Sequence, residues 1–422
     1  MVTAMTATFR ILLAAIQSYA LLYLAYLWVP AIAAVVGRAR GAGRSVAPAA
    51  TGTPSAERSF AILVSAHNES RVVGALLQSL ATQEYPAEKR RIFVVANTCT
   101  DETAAVVRSS GVATCLERTG GGLATKGAAL SWLWERICPD VANVDCVLIL
   151  DADNVVPPGY LAEMDRVFDD GFRVVQSARC AKNAEDSWTR ELDAISEALW
   201  NRLDQAGRMQ LGLSATIAGS GMAFERRLFE WLVGEGGPGL LEDIEWQARL
   251  MLAGVRVGFA ERARVFDEKT SGAIQLGRQR KRWVAGVAVA ARRYAWPLLK
   301  SGLRTGDPAQ LVAAFGVSKP PRSLLLVATA ALALAARSFP VIAWLLPWQV
   351  WTSALASSGG YVLLGLALDG ARPRSYLALL AAPVFAAGMV GVSLVGALQA
   401  RKQRWIPTTH GRNVVIDALR VK

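Results

Sequence analysis

The sequence predicts an α/β domain with a Rossmann-like, mostly parallel sheet, flanked by transmembrane α-helices and by amphipathic helices at the membrane surface. Three observations support this fold class. First, 53% of the 422 residues are hydrophobic and only 19% are charged, which is too apolar for a simple soluble protein. Second, the apolar excess lies towards the two ends of the chain. Third, between these ends short apolar runs alternate with helical patterns, an order typical of parallel sheets covered by helices.

The N-terminal transmembrane helix is predicted at residues 9–36, which are almost free of charged side chains. About 20 apolar residues suffice to span a bilayer. A cleaved signal peptide is disfavoured, because the apolar run is too long and the basic residues follow it instead of preceding it. Arg38, Arg40 and Arg44 place the C-terminal end of this helix in the cytoplasm by the positive-inside rule. Residues 37–57 are predicted to be a linker.

A globular domain is predicted at residues 58–270, on the cytoplasmic side of the membrane. Apolar runs predict its strands at residues 60–65, 91–96, 113–117, 147–150, 173–176 and 254–259. Polar residues gather after these runs, and ligands of open α/β sheets bind just beyond the carboxyl ends of the strands.

The most informative strand is Val147–Leu150, which is followed by Asp151 and Asp153. A short, continuous apolar run is typical of a strand that is buried on both faces. Two carboxylates directly after such a strand are placed where a cation and a phosphorylated substrate could meet. An ordinary strand end with solvated acids is the alternative interpretation of this stretch when it is taken alone.

The C-terminal part is predicted to contain three segments. Residues 271–320 are basic and carry aromatic side chains, which favours amphipathic helices at the membrane interface. Residues 321–398 are predicted to form transmembrane helices, but the prolines, glycines and charges within them leave the number of crossings open. The tail, residues 399–422, begins with a basic cluster that favours a cytoplasmic C-terminus.

Charge and composition exclude several classes of protein. The net charge is +12, but many of the Lys and Arg residues lie beside the apolar segments, which favours an anionic membrane surface over nucleic acid as the partner. Five cysteines without any CxxC spacing give neither a disulfide framework nor a zinc site, and they suit a reducing compartment. Only His67 and His410 are present, which nearly excludes a histidine metal site or a Ser-His-Asp triad.

Seven short motifs occur in one order along residues 60–300. They are Ala66–Glu69, Asn97–Asp101, Lys126–Gly127, Asp151–Asp153, Gly219–Gly221, Glu242–Asp243 and Gln279–Trp283. Each motif is weak alone, but the series resembles the membrane-embedded family 2 glycosyltransferases with a GT-A fold. This family includes the synthases of chitin oligosaccharides, hyaluronan, cellulose and poly-N-acetylglucosamine. The resemblance therefore implies a GT-A catalytic domain at residues 58–270.

The resemblance implies a nucleotide-sugar donor and a divalent cation. A leaving diphosphate carries negative charge, which Mg²⁺ or Mn²⁺ stabilises when carboxylates and the substrate's own phosphates hold the ion. Asp153 and Asp151 are the implied metal ligands. The implied contacts to the donor nucleotide or its diphosphate are His67, Glu69, Asn97, Asp101, Lys126, Asp151 and Arg282. A solvated lysine after a glycine-rich turn is the alternative interpretation of Lys126.

The resemblance also assigns the acceptor side of the reaction. Asp243 is the implied general base, since an acceptor hydroxyl is a poor nucleophile until its proton is removed, and Glu242 beside it would raise its pKa. The implied acceptor contacts are Gly219, Ser220, Gly221, Gln279 and Trp283. Trp405 and Thr408 match a W-x-x-T segment that closes over the nucleotide in some polysaccharide synthases, although an interfacial tryptophan explains Trp405 equally well.

One departure from the family pattern affects the donor. The position that usually holds a uracil-binding Asp is Asn97 here, although the amide oxygen of Asn can also accept from uracil N3–H. A UDP-sugar remains the expected donor. The sugar itself, a hexose or an N-acetylhexosamine, is not revealed by the pattern.

These observations predict an inverting β-glycosyltransferase that is integral to the plasma (inner) membrane, with its catalytic domain in the cytoplasm. Its acceptor would be a growing polysaccharide, or alternatively a lipid, as in ceramide glucosyltransferase-like enzymes. A membrane scaffold with a relict nucleotide-sugar site is the alternative from a different class. The linkage, processivity, oligomeric state and choice between Mg²⁺ and Mn²⁺ stay open.

Overall fold

The computed structural model describes residues 2–41, 57–120, 125–234, 241–270, 272–339, 342–343, 345–398 and 416. Its centre is one seven-stranded sheet with the strand order β3-β2-β1-β4-β6-β5-β7. The strands are β1 Phe60–Ala66, β2 Arg90–Asn97, β3 Thr114–Arg118, β4 Cys146–Asp151, β5 Val174–Ala181, β6 Met222–Glu225 and β7 Val257–Asp267. Only β6 runs antiparallel to its neighbours in this sheet. The Rossmann-like fold class predicted from the sequence is confirmed.

Helices cover the sheet and continue towards the membrane. In the globular part they are α2 Val73–Ala81, α3 Thr103–Ser109, α4 Lys126–Ile137, α5 Tyr160–Asp169, α6 Trp188–Leu199, α7 Ala206–Gln210, α8 Arg226–Gly234 and α9 Glu242–Leu252. A π-helical segment, Trp200–Gln205, joins α6 to α7. The other helices are α1 Val2–Ala39, α10 Ala273–Thr305, α11 Pro308–Ser318, α12 Arg322–Ser338, α13 Trp348–Asp369, α14 Pro373–Ala378 and α15 Ala382–Leu398.

The position of the candidate site follows from the burial of the central strands. All apolar residues of β4 are buried, as expected for a strand covered on both faces. Strand β1 pairs with β4 on one side and with β2 on the other, all three in parallel. Their carboxyl ends therefore meet at one edge of the sheet, with Ser65 of β1 opposite Asp151 of β4. The motifs that follow these strands are brought to that edge.

Three segments within the described residues are long and apolar enough to cross a membrane. They are Ala7–Ala39, Trp348–Asp369 and Pro373–Leu398, judged by length and composition. Helices α11 and α12 would form a fourth span if counted together, although they are bent by 76° at their break. The prediction of apolar helices on both sides of the globular domain is confirmed. The helix contacts described below bear on how many of these helices cross the membrane.

The N-terminal helix is packed tightly against the globular domain through Gly207 of α7. A Cβ atom added at Gly207 would lie 1.9 Å from the carbonyl oxygen of Pro30 in α1. The two helix backbones can approach this closely only because residue 207 has no side chain.

Gly207→Ala is expected to lower the free energy of unfolding by about 1–3 kcal/mol, because the two backbones must move apart to admit a methyl group. Thermal unfolding of the purified protein in detergent measures the effect. Gly359→Ala in α13 is the control, since a Cβ there meets no atom within 4 Å. Equal melting temperatures for wild type and Gly207→Ala would contradict the close packing.

Candidate active site

Lys126 joins three of the sequence motifs at the carboxyl edge of the sheet. It lies in the first turn of α4, and its Nζ donates hydrogen bonds to Asp151 Oδ1 and, at 2.5 Å, to the carbonyl oxygen of Gly219. Burial alone would lower the pKa of Lys126, but the charges of Asp151, Glu242 and Asp243 outweigh it and raise the pKa. Lys126 is therefore a fixed positive charge at neutral pH, and it is mostly buried instead of solvated.

The turn after β4 is held rigidly by its own polar groups. The Asp151 N–H donates to Asn154 Oδ1 at 3.0 Å and to Ser220 Oγ at 3.1 Å. Asp153 Oδ1 accepts from Asn154 Nδ2 at 3.2 Å, and Asp153 Oδ2 accepts from the Glu268 N–H at 2.8 Å. The two carboxylates therefore differ in exposure. Asp153 is 5% exposed, whereas the Asp151 side chain is 37% exposed.

These two carboxylates fit a cation only together with a substrate. No group of three or more His, Cys, Asp or Glu residues within the described ranges is placed to hold a metal ion. Mg²⁺, however, is commonly bound by one or two carboxylates, several waters and the substrate's phosphates. A carboxylate oxygen has more than one lone pair, so the hydrogen bonds to Asp153 leave it able to act as a ligand. The donor set fits a hard cation shared with a diphosphate.

The Gly219–Gly221 turn brings the general-base candidate close to Lys126. Gly219 and Gly221 have φ angles of 68° and 67°, which L side chains rarely adopt. A Cβ added at Gly219 would lie 3.4 Å from Asp243 Oδ2. The backbone N–H groups of Ser220 and Gly221 donate to Ala218 O and Ile149 O, so they are not open to an acceptor. A contact from Gly219, Ser220 or Gly221 to the acceptor stays a prediction.

Glu242 and Asp243 form an acid pair in the first turn of α9, in which Glu242 is buried and Asp243 is half-buried. Burial raises the pKa of Glu242 to about 7, although the Lys126 charge acts in the opposite direction. Burial likewise raises the pKa of Asp243, opposed by the Ile244 N–H, which donates to Asp243 Oδ1 at 2.9 Å, and by Lys126. A carboxylate with a raised pKa is a better proton acceptor than an ordinary surface Asp.

The raised pKa of Glu242 makes the stability of the protein depend on pH. A carboxyl group whose folded-state pKa is raised stabilises the fold below its usual pKa of 4.5, and this contribution is lost as the pH rises through about 7. Between about pH 5 and pH 8.5, wild type is therefore expected to lose about 2–3 kcal/mol more unfolding free energy than Glu242→Gln. Denaturation at both pH values measures this, with Glu88→Gln, at an exposed site, as the control. Parallel losses in wild type and Glu242→Gln would refute the raised pKa.

Arg282 of α10 completes the charge arrangement from the membrane side. Burial lowers its pKa, and the opposing charges come from Glu242, Asp151 and Asp243, so Arg282 lies within the electrostatic field of the site's carboxylates. Among the described residues it makes no hydrogen bond or ion pair, and its Nε is buried without a partner. The donors of this cation are thus available to a substrate.

The other side chains of the Gln279–Trp283 motif are held by neighbouring elements. Gln279 Oε1 accepts from Thr270 Oγ1 at 3.1 Å. The Arg280 guanidinium lies 4.9 Å from the centre of the Trp283 ring, and it also pairs with Asp193 of α6. Arg280 was not among the predicted site residues. Its cation–π contact fixes the ring that is predicted to hold the acceptor.

The loops after β1 and β2 are tied together around Asp101. Asp101 Oδ2 accepts from the Ser70 N–H, and Asp101 Oδ1 accepts from the Thr103 N–H, each at 3.1 Å. Burial would raise the pKa of Asp101, but these hydrogen bonds lower it to about 2. The Glu69 N–H donates to Thr103 Oγ1 at 2.9 Å, and His67 Nδ1 lies 2.7 Å from the carbonyl oxygen of Asn97. These residues organise the loops, and their contact with a donor stays a prediction.

Asn97 has a partner that sequence reasoning missed. Arg118, at the end of β3, donates from Nη1 to Asn97 Oδ1 at 2.8 Å. A guanidinium has no acceptor, so the amide atom that faces Arg118 must be the oxygen. The acceptor that was expected to bind uracil N3–H is already engaged, and no hydrogen bond is found for Asn97 Nδ2 within the described residues.

Asn97→Asp is expected to strengthen UDP binding relative to CDP by about 10-fold. Its second carboxylate oxygen would accept from uracil N3–H, and a hydrogen bond to a charged group contributes about 1.5–3 kcal/mol. Cytosine presents an acceptor at the same ring position and would gain nothing. Calorimetric titration of both nucleotides against wild type and Asn97→Asp tests this. An unchanged ratio of the two affinities would show that residue 97 does not contact the base.

A buried ionic cluster beside the site was also missed. Arg179 of β5 donates to Ala218 O at 3.1 Å, directly before the glycine turn, and pairs with Asp267. Lys269 pairs with Asp267 and with Glu197 of α6. Four charges far apart in sequence give no local motif, so only the fold brings them together. The predicted gate residues, Trp405 and Thr408, lie outside the described residues.

A mixed Rossmann-like sheet with paired carboxylates, a lysine and an acid pair at its carboxyl edge is the arrangement of a GT-A glycosyltransferase. The model of the family described as "Glycosyltransferase like family 2" matches residues 57–286, more than half of the chain. The chain belongs to this family.

Curated relatives match the same part of the chain. The β-monoglucosyldiacylglycerol synthase of Synechocystis sp. is 26% identical over 231 residues, which cover 53% of this chain and 47% of that protein. The probable glycosyltransferase YdaM of Bacillus subtilis is 27% identical over 238 residues, which cover 53% and 54%. The chain thus spans about half the length of the curated relatives it matches.

Solved structures resemble the protein more distantly. Mannosyltransferase PcManGT from Pyrobaculum calidifontis, in complex with GDP-Man and Mn²⁺, is 19% identical with a TM-score of 0.46, covering 84% of this chain and 98% of that chain. S. aureus TarS is 15% identical with a TM-score of 0.42, covering 75% and 93%.

Proposed function

We propose that the protein is an inverting, membrane-bound glycosyltransferase that moves a hexose or an N-acetylhexosamine from a nucleotide-diphosphate sugar onto the hydroxyl group of a lipid. One observation carries this proposal. Lys126, which pairs with Asp151, and the half-buried Arg282 of α10 both interact electrostatically with the charges of Asp151 and Asp243. Cations for a diphosphate and a base for a hydroxyl are thereby placed in one site.

The donor's diphosphate would lie beside Lys126 and the Asp151–Asp153 turn. Asp153 and Asp151 would hold Mg²⁺ or Mn²⁺ jointly with the phosphates, and the ion would supply positive charge to the leaving diphosphate. Lys126 and Arg282 add two further positive charges, and both are largely shielded from water, where electrostatic stabilisation is stronger. We expect a UDP-sugar as the donor, although the predicted acceptor for uracil N3–H, Asn97 Oδ1, already accepts a hydrogen bond from Arg118.

The reaction would be a single displacement at the anomeric carbon. Asp243 takes the proton of the acceptor hydroxyl, whose oxygen forms a bond to the anomeric carbon. The bond from that carbon to the diphosphate oxygen breaks, and the diphosphate leaves with the electron pair. Since the nucleophile attacks opposite the leaving group, the anomeric configuration inverts.

A lipid acceptor is favoured by the position of helix α10, which carries two of the predicted site residues and lies next to an apolar helix. Arg282 and Trp283 lie on α10, which packs against the apolar helix α15 through Gly396. The relative from Synechocystis described above carries a lipid in its name, β-monoglucosyldiacylglycerol synthase. By the positive-inside rule, we place the catalytic domain on the cytoplasmic side of the plasma membrane.

The test is sugar transfer by the purified protein in lipid nanodiscs, with a panel of radiolabelled nucleotide sugars and Mg²⁺ or Mn²⁺. We expect one sugar added per acceptor, with the label extracted into the organic phase and lost when EDTA is present. A water-soluble ladder of products would show that the acceptor is a polysaccharide and not a lipid. Absence of sugar transfer and of nucleotide release with every donor would indicate a relict site.

A further inference from the structure

The segment Pro373–Leu398, which contains α14 and α15, is apolar and long enough to span a bilayer. Its contacts, however, point to a different position. We propose that this segment lies in the plane of the membrane, against the membrane-facing side of the catalytic domain, and does not cross the bilayer. The proposal rests on contacts at the start, the middle and the end of the segment, and it is independent of the reaction proposed above.

The start of the segment is bound to the catalytic domain by polar contacts. Arg374 Nη2 donates to the carbonyl oxygen of Glu185 at 2.8 Å, and Arg374 Nε lies 3.3 Å from Glu191 Oε2. Ser375 Oγ donates to Glu191 Oε1 at 2.5 Å. Glu191 belongs to α6 and is 6% exposed, so these contacts fix the beginning of α14 on the domain.

The middle and the end of the segment contact the same side of the domain. The Phe385 ring lies 6.3 Å, centre to centre, from the ring of Trp188, the first residue of α6. Near the end, a Cβ added at Gly396 would lie 2.9 Å from the carbonyl oxygen of Lys281 in α10. Helix α15 therefore contacts α6 through Phe385 and α10 through Gly396.

A crossing helix could not make all of these contacts. Residues 385 and 396 are about 16 Å apart along a helix at 1.5 Å per residue, which is half of a ~30 Å hydrocarbon core. Their partners belong to α6 and α10, which are joined by the ion pair of Arg280 with Asp193. We place both of these joined helices on the membrane-facing side of the domain, so a helix along the membrane normal would leave that side between Phe385 and Gly396.

Helix α13 shows the pattern expected of a crossing helix. Its C-terminal residue, Asp369, pairs with Arg202 of the catalytic domain at 2.8 Å. Its N-terminal half packs elsewhere, with Trp351 buried in a cluster formed with α1 and α12. One half of α13 is thus at the domain and the other half is among the membrane helices, whereas α15 packs most extensively against α10 and also against α12.

The outward side of the segment indicates its partner. Large apolar side chains there are strongly exposed, among them Leu380 at 82%, Val384 at 73% and Leu398 at 86%. This surface is continuous with the apolar helices of the membrane part, so the acyl chains of one leaflet are the partner it fits. Leu398 then ends on the same side of the membrane as the active site.

Spin-label depth measurements in bilayers test the proposal. Nitroxides are attached through a genetically introduced ketone side chain at positions 384 and 398, so the native cysteines stay in place. An in-plane helix predicts nearly equal depths, whereas a helix along the normal predicts a difference of about 21 Å for 14 residues. The matched control is the pair Leu22 and Val36 in α1, also 14 residues apart and exposed. A difference at α15 that equals the difference at α1 would overturn the proposal.

A second measurement locates the chain after the segment. An epitope added after Lys422 is expected to be protected from antibody in intact spheroplasts and accessible after permeabilisation, as is an epitope placed in the linker near residue 45. Antibody binding to the C-terminal epitope in intact spheroplasts would overturn the proposal. Both measurements use the full chain and require no enzymatic activity, so an inactive preparation does not affect them.

Discussion

Asp243→Asn is expected to reduce the rate of sugar transfer by about 10²–10⁴-fold, which is the usual contribution of a general base. The amide is almost the same size as the carboxylate, and its Oδ1 can still accept from the Ile244 N–H, so the first turn of α9 is preserved. What is lost is the ability to take a proton. Initial rates of label transfer into lipid measure the effect, and nucleotide affinity is measured separately by calorimetry.

Glu245→Gln provides the matched control for this substitution. Glu245 also lies in the first turn of α9, and it forms an ion pair with Arg293 of α10. We expect its transfer rate to stay within about threefold of wild type, as for a weak ion pair near the surface. If Asp243→Asn kept more than about a tenth of the wild-type rate, Asp243 would not be the base.

The parts of the fold that follow from local sequence patterns were predictable. Strand β4 reads as an unbroken apolar run because it is buried on both faces, and the carboxylates after it could be placed at the sheet edge. Strand β6 was missed, since Met222–Glu225 is only four residues long and pairs antiparallel between β4 and β5. A run this short has no periodicity to detect.

The missed site residues share a different cause. Arg118 can be recognised as a site residue only from the structure, because β3 lies beside β2 and brings the Arg118 guanidinium to Asn97. Arg179 is recognised only because β5 and β7 are neighbours, which brings it to Asp267. Pairing between residues far apart in sequence depends on the strand order, and a single sequence does not display the strand order.

Arg282→Met is expected to abolish most activity and to stabilise the protein, a combination that a purely structural arginine would not give. Removing a positioned donor to a developing negative charge typically costs about 10²–10³-fold in rate. Stability should change in the opposite direction, because the folded protein half-buries this cation without a hydrogen bond among the described residues, its Nε is fully buried, and this burial lowers its pKa. A buried charge that lacks a partner is costly, and methionine fills a similar volume.

The two effects are measured on the same preparation, as the rate of label transfer and as the melting temperature in detergent. Arg280→Met, two residues away on α10, is the matched control. Its guanidinium pairs with Asp193 and covers Trp283, so its removal should lower the melting temperature. If Arg282→Met instead melts below wild type, the guanidinium stabilises the fold even without substrate, and its assignment to the diphosphate loses its physical basis. A higher melting temperature with lost transfer would mean that the fold retains this cation at a cost in stability, as expected for a residue that acts on a charged substrate.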